Sequence, residues 1–160
     1  MFGFSEKKFR AFKPWHGILV GVIALLTLGV WLRSLHWPTA WIRIKDQEYR
    51  VLVADTPKHW FKGLSDRKDL TGYDGMIFIF PALEQHAMVM RDMHFPLDIL
   101  WIQGDTIVDM APNLEPDLSQ TEAELRVYQG RLPSDKVLEL PAGFIQEHDL
   151  RVGDEIVVAR

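Results

Sequence analysis

Cysteine is absent from the 160 residues. That excludes disulfides, thiolate zinc sites and thiol catalysis, and it leaves the redox compartment unreported. Six histidines are present, but none falls in a metalloprotease spacing such as H-E-x-x-H. No glycine-rich loop suits a phosphate, and Ser65, Ser119 and Ser134 lack the context of a nucleophile elbow. Internal repeats and low-complexity tracts are missing too. Basic charge is scarce over most of the chain: residues 41–160 hold 13 Lys or Arg against 21 Asp or Glu, a net of −8. Phosphate binding needs a basic surface, so nucleic acid is not the expected partner. A hydrophobic content of 48% excludes intrinsic disorder.

The first forty residues differ from the rest. They carry five basic residues (Lys7, Lys8, Arg10, Lys13, Arg33) against the single acid Glu6. Trp15 to Leu32 has no formal charge. As a helix at ~1.5 Å per residue it reaches roughly 27 Å, close to the thickness of a bilayer core. Trp15, Trp31, Trp37 and Trp41 cluster at or beyond its ends, as interfacial aromatics do. The basic residues lie mostly before the stretch, which places the N-terminus in the cytoplasm. The expected organisation is a basic cytoplasmic tail over 1–14, a single-pass transmembrane anchor over 15–32, a linker over 33–40 and an extracytoplasmic domain over 41–160. A cleaved signal peptide is the rival, but its apolar region is normally about 7–15 residues with a small-x-small site behind it, and Pro38-Thr39-Ala40 puts proline in the wrong place.

The outer part reads mainly with period two. Trp41–Lys45 and Glu48–Ala54 flank Asp46-Gln47 as a hairpin. Thr56-Pro57 suits an N-cap and first helical residue, and Gly63 a C-cap. Further strands are expected over 75–80, 87–91, 98–102, 106–110, 136–140 and 155–159, with a short helix over 141–148 and a turn at Gly153-Asp154. The polar stretch 112–135, with Pro112, Pro116 and Pro133, reads as a long loop with a helical turn near 119–125. The fold class is therefore β-rich, all-β to α+β: a small barrel-like or sandwich-like domain with one or two short helices, preceded by one transmembrane helix.

Candidate chemistry concentrates between His86 and Asp98. On a strand, His86, Met88 and Met90 share a face, and imidazole with thioethers can hold Cu(I); equally, Met88 and Met90 suit gap-filling core positions. Asp92 and Asp98 beside Arg91 could divide into an acid and a base, whereas Asp98 behind Pro96-Leu97 could instead bond loop backbone. Arg67 could grip a ligand carboxylate with its fork or brace a loop through Asp69 or Asp74. Glu139 alternates against Leu138 and Leu140. It is merely solvated unless its face closes over a pocket.

Four blocks occur in order: Gly63-Leu64-Ser65-x-Arg67; Gly75-Met76-Ile77-Phe78-Ile79-Phe80; Met90-Arg91-Asp92-x-x-x-Pro96-Leu97-Asp98-Ile99; and Val137-Leu138-Glu139-Leu140-Pro141-Ala142-Gly143 with Gly153-Asp154. Over residues 50–158 they resemble domain of unknown function family 192, small bacterial and archaeal proteins that are often exported or anchored. The resemblance implies a β-rich domain with short helices and implies no reaction. The family's central block usually reads Trp-Met-Lys-Asn-Thr. Here Val89, Arg91, Asp92 and Met93 replace all but Met90, so a pocket shaped by this block would select a different ligand. Gly75 and Gly143 suit turns needing positive φ.

Together these features lead us to expect a membrane-anchored extracytoplasmic binding or accessory module for a small ligand or an envelope protein. Its ligand-binding residues would come from Arg67, Met90, Arg91, Asp92, Pro96, Asp98 and Glu139, with no metal and no cofactor required. The alternatives are a cell-envelope hydrolase using Asp92 and Asp98, and a copper site at His86, Met88 and Met90.

Overall fold

The computed structural model describes residues 14–34 and 37–159, except the side chains of residues 14, 16 and 31–34. The basic tail and part of the expected linker lie outside the described residues. The chain divides into two units, 1–36 and 37–160.

The first unit holds one helix, α1 (Pro14–Ser34, 21 residues). Its described apolar side chains, among them Ile18, Leu25 and Val30, are exposed. Thr27 turns its hydroxyl back onto the Ala24 carbonyl at 2.9 Å, satisfying itself within the helix. Among the described residues no helix is long and apolar enough to cross a membrane; the side chains at both ends of α1 fall outside them.

The second unit is built on a curled seven-stranded sheet. Its strands are β1 (Thr39–Ile44), β2 (Gln47–Ala54), β3 (Gly75–Glu84), β5 (Leu97–Gln103), β6 (Thr106–Leu114), β8 (Ser134–Pro141) and β9 (Ile156–Ala159), in the spatial order β6-β5-β8-β3-β2-β1-β9. All pairings are antiparallel except β2 with β3. The parallel pair needs a crossover, which α2 (Pro57–Lys62) and the turns behind it supply. The two edges of the sheet meet: Ile107 N–H donates to Asp154 O at 2.9 Å and Ile156 N–H to Asp105 O at 2.7 Å. That meeting curls the sheet toward a half-barrel and protects edge backbone. A second sheet pairs β4 (Ala87–Val89) with β7 (Val127–Gln129). A four-residue helix, α3 (Phe144–Glu147), follows β8.

Strand alternation divides the core in two. One cluster holds Ile42, Val51, Val53, Ile77, Leu100, Ile102, Leu138, Leu140 and Ile156, closed by Phe144 and Leu150. The opposite face carries Leu52, Met76, Phe78, Leu97, Ile99, Trp101 and Val137, covered by Leu64, Met88, Met90 and Met93. Full burial of each large side chain contributes about 1.5–3 kcal/mol. Trp101 also ties this cover down. Its indole N–H donates to the His86 carbonyl at 2.9 Å, beside the Gly130 N–H at 3.2 Å.

The structure revises two local expectations. The long loop over 112–135 is interrupted. β6 runs on to Leu114, β7 returns against β4, and β8 starts at Ser134. Gly75 does not have a positive φ, unlike Gly143 at φ 90°. A Cβ at Gly75 would lie 2.3 Å from the Glu139 carbonyl oxygen. Glycine at 75 is required by the close approach of β3 to β8, not by a turn.

Candidate functional site

Thr56 caps α2 as expected. Its hydroxyl accepts from His59 N–H at 3.3 Å, Pro57 begins the helix, and Gly63 ends it at φ 46°. The cap fixes the last turn of α2, and with it Trp60 and Phe61, above the sheet face that carries Phe78. Trp60 is pinned there by indole hydrogen bonds to Ala54 O (3.0 Å) and Ile79 O (3.1 Å).

The turn after α2 is stitched to the segment after β4. Ser65 Oγ donates to Arg91 O at 2.8 Å, and Asp66 N–H to Asp92 O at 2.9 Å. Asp66 and Asp92 both take positive φ, 63° and 49°, a conformation Asp tolerates better than most residues. Between these segments and the sheet lies a pocket of about 420 Å³. Trp60, Phe61, Phe78, Met88 and Met93 give it an aromatic and thioether lining, and Arg91 and Glu139 also line it. All four ordered sequence blocks reach the pocket, through Gly63–Ser65, Phe78, Arg91 and Glu139.

Glu139 sits on β8 opposite Met76 of β3 and Ile99 of β5, on the sheet face that the cover closes. It is 4% exposed. Its Oε2 is buried with no hydrogen-bond partner. Burial alone pushes its pKa up to about 8, because a carboxylate loses its hydration there and gains no cation in return. A buried, unpartnered carboxyl is costly in a core.

The two cations that line the pocket are already paired. Arg91 donates from Nε to Glu122 Oε2 at 2.7 Å and from Nη2 to Oε1, a bidentate pair, and from Nη1 to Phe61 O at 3.0 Å. Its guanidinium lies 4.2 Å from the Phe61 ring centroid. The hydrogen bond to Glu122 raises the pKa of Arg91, and the same bond lowers that of Glu122. Lys62, the last residue of α2, pairs with Asp66 in the turn behind it.

The remaining expected site residues are placed elsewhere. Asp98 is fully buried, and each oxygen accepts one backbone N–H, from Asn113 and from Ile145, both at 2.7 Å. It lies on the sheet face opposite Glu139 and fastens β6 and α3 to β5. Asp92 is exposed and is not brought together with Asp98. Pro96 offers its carbonyl to Ala142 N–H at 3.2 Å. Arg67 stacks over Trp37 at 5.7 Å, while Asp69 bonds Thr71 and Asp74 bonds Arg50 N–H. Met90 is core. His86 stacks on Phe80 at 3.7 Å, and one of its two ring nitrogens, Nε2, lies 3.2 Å from Ala82 O. Among the described residues no group of three or more His, Asp or Glu is arranged to hold a metal.

Sequence reasoning missed Trp60, Phe61, Met93 and Glu122. The cap at Thr56-Pro57 was the available signal for the first two. Nothing in the polar stretch around Glu122 marked it as the partner of Arg91.

Two solved structures share this fold. A Sinorhizobium meliloti 1021 protein proposed to be a transcription regulator matches at TM-score 0.65 and 26% identity, over 76% of this chain and 95% of its own. A Novosphingobium aromaticivorans DSM 12444 protein of unknown function matches at TM-score 0.62 and 22% identity, over 76% of this chain and 84% of its own. No curated protein matches. The family model of DUF192, described as uncharacterized ACR, matches residues 40–158. That span takes in every strand from β2 to β8 and all the residues that line the pocket, so the chain belongs to the DUF192 family.

Proposed function

We propose that residues 37–160 form a binding module for a small, largely apolar ligand, held outside the cytoplasmic membrane by α1. The observation that carries the binding half is the unpartnered carboxyl of Glu139 beside an apolar pocket. A group that costs stability when empty is repaid by a ligand that satisfies it. The pocket volume falls in the range of small-ligand sites. The anchoring half is supported by the uncharged run Trp15–Leu32 and by the basic residues before it.

The hydrolase alternative is less well supported. Asp98 has both oxygens committed to backbone and faces away from the pocket. The transcriptional role proposed for the Sinorhizobium protein is not carried over, because residues 41–160 are net acidic.

The test is a thermal-shift screen of the full chain in detergent against small amines, alcohols, acids, sugars and peptides. A ligand at a hundred times its Kd adds about 2.7 kcal/mol, on the order of 10 °C in midpoint for a domain of this size. The substitution Val89→Trp, which fills the pocket from its half-buried rim, should abolish the shift. A shift that survives this variant would place the ligand elsewhere.

A further inference from the structure

The pocket has one unbalanced group. Its lining cations each carry their own carboxylate, Arg91 with Glu122 and Lys62 with Asp66. Glu139 has none: its Oε2 is buried without a partner. The charged side chains that line the pocket are therefore neutralised in pairs, apart from this carboxyl at its sheet face. The walls are three aromatic residues, Trp60, Phe61 and Phe78, and two thioethers, Met88 and Met93. Aromatic faces are negative and attract cations. Phe61 already does so from outside, with the Arg91 guanidinium over its ring. Unbranched methionines re-pack readily around a guest.

A neutral hydroxyl or carbonyl ligand would take one hydrogen bond from protonated Glu139 and would leave the ring faces unused. A cationic head uses both: it pairs with the carboxylate and lies against the rings. We infer that the ligand of this pocket is a small organic cation of the alkylammonium class, whose charged head is held by Glu139 and whose apolar body is held by Trp60, Phe61, Phe78, Met88 and Met93. This inference rests on the binding reading above and specifies its ligand.

The pairing has a sign that separates it from its rival. Free Glu139 holds its proton up to about pH 8, and a cation binds the ionised form. Affinity for a cation therefore rises with pH and levels off above 8, changing by up to tenfold per unit below that value. Affinity for a neutral acceptor runs the other way. The hydrogen bond between Arg91 and Glu122 raises the pKa of the first and lowers that of the second, and the Lys62 side chain lowers that of Asp66, so neither pair's carboxylate takes up a proton in this range.

Choline and 3,3-dimethylbutan-1-ol are matched probes. They share a shape, and the quaternary nitrogen of the first has a fixed charge. Calorimetric titration of the full chain in detergent at pH 6, 7, 8 and 9 should show choline binding at least tenfold tighter than the alcohol at pH 9. That preference should shrink toward pH 6 and vanish in Glu139→Gln. The pH series in the unaltered protein keeps the test valid even where the variant folds poorly. Equal affinities at pH 9, or a choline-to-alcohol ratio that does not change between pH 6 and pH 9, would overturn the cation assignment and leave the pocket's role as a binding site intact. Loss of all binding for both probes, with other panel members still shifting the melting midpoint of the protein, would also overturn it. Silence from the probes and from the whole panel would remove the binding reading itself.

Discussion

Replacing Glu139 with Gln keeps the shape of the side chain and removes its proton. Glu139 binds that proton more tightly in the folded state, where its pKa is pushed up to about 8, than in the unfolded chain, where the ordinary value is 4.5. The stability it contributes is therefore whole below about 4.5 and is lost as pH rises through 8. Between those limits each pH unit removes about 1.4 kcal/mol from the unaltered protein relative to the variant. From pH 5 to pH 8 the difference between the two proteins should fall by about 4 kcal/mol, on the order of 15 °C in midpoint. Chemical denaturation of both proteins at half-unit intervals measures it, and the difference cancels every other titrating group. The curve should decline from pH 5, flatten near 8 and stay flat to 9. A difference constant within about 1 kcal/mol from pH 5 to 9 would mean that Glu139 is paired or solvated, and the reasoning about the pocket would fail with it.

The other expectations concern the frame around the pocket. Gly75→Ala sets a Cβ 2.3 Å from the Glu139 carbonyl oxygen, so β3 and β8 must part; denaturation should show a loss of about 3 kcal/mol. Asp98→Asn turns an amide N–H toward the backbone N–H of Asn113 or Ile145, costing about 1–3 kcal/mol. Ligand affinity of the folded fraction should stay unchanged, and a selective loss of turnover with full stability would revive the acid/base reading. Asp109, whose pKa is lowered chiefly by the Arg131 side-chain hydrogen bond, supplies stability above the ordinary carboxylate value that is lost as pH falls through its depressed one. Asp109→Asn should therefore leave the alkaline side unchanged and flatten the acid limb below the ordinary carboxylate range. For the anchor, protease added to spheroplasts should release residues 37–160 from the membrane; a mature chain shorter by about forty residues would show a cleaved signal instead.

The fold was largely legible because its signals are local. Thr56-Pro57 and Gly63 mark α2 through backbone capping, and β3 and β5 show as apolar runs of strand length. What was not legible depends on partners far apart in sequence. Glu139 reads as an ordinary outward residue until β4 and the turn after α2 cover its face. Asp98 reads as a candidate acid until α3 and the end of β6 deliver two N–H groups to it. β7 is three residues in a polar stretch, and only pairing with β4 makes it a strand. Gly75 looked like a turn glycine because spacing cannot reveal that a neighbouring strand passes within contact of its Cα. The four family blocks were visible in order, and the pocket is where they meet.

The central claim is that Glu139 is a sealed, unpartnered carboxyl awaiting a cation, and carbon-13 NMR of Glu-labelled protein reads it most directly. One carboxyl resonance, missing from Glu139→Gln, should titrate near pH 8 in the free protein, and saturating choline should move that midpoint down. If every glutamate titrates in the ordinary range near 4 and none responds to choline, the account of this pocket is wrong.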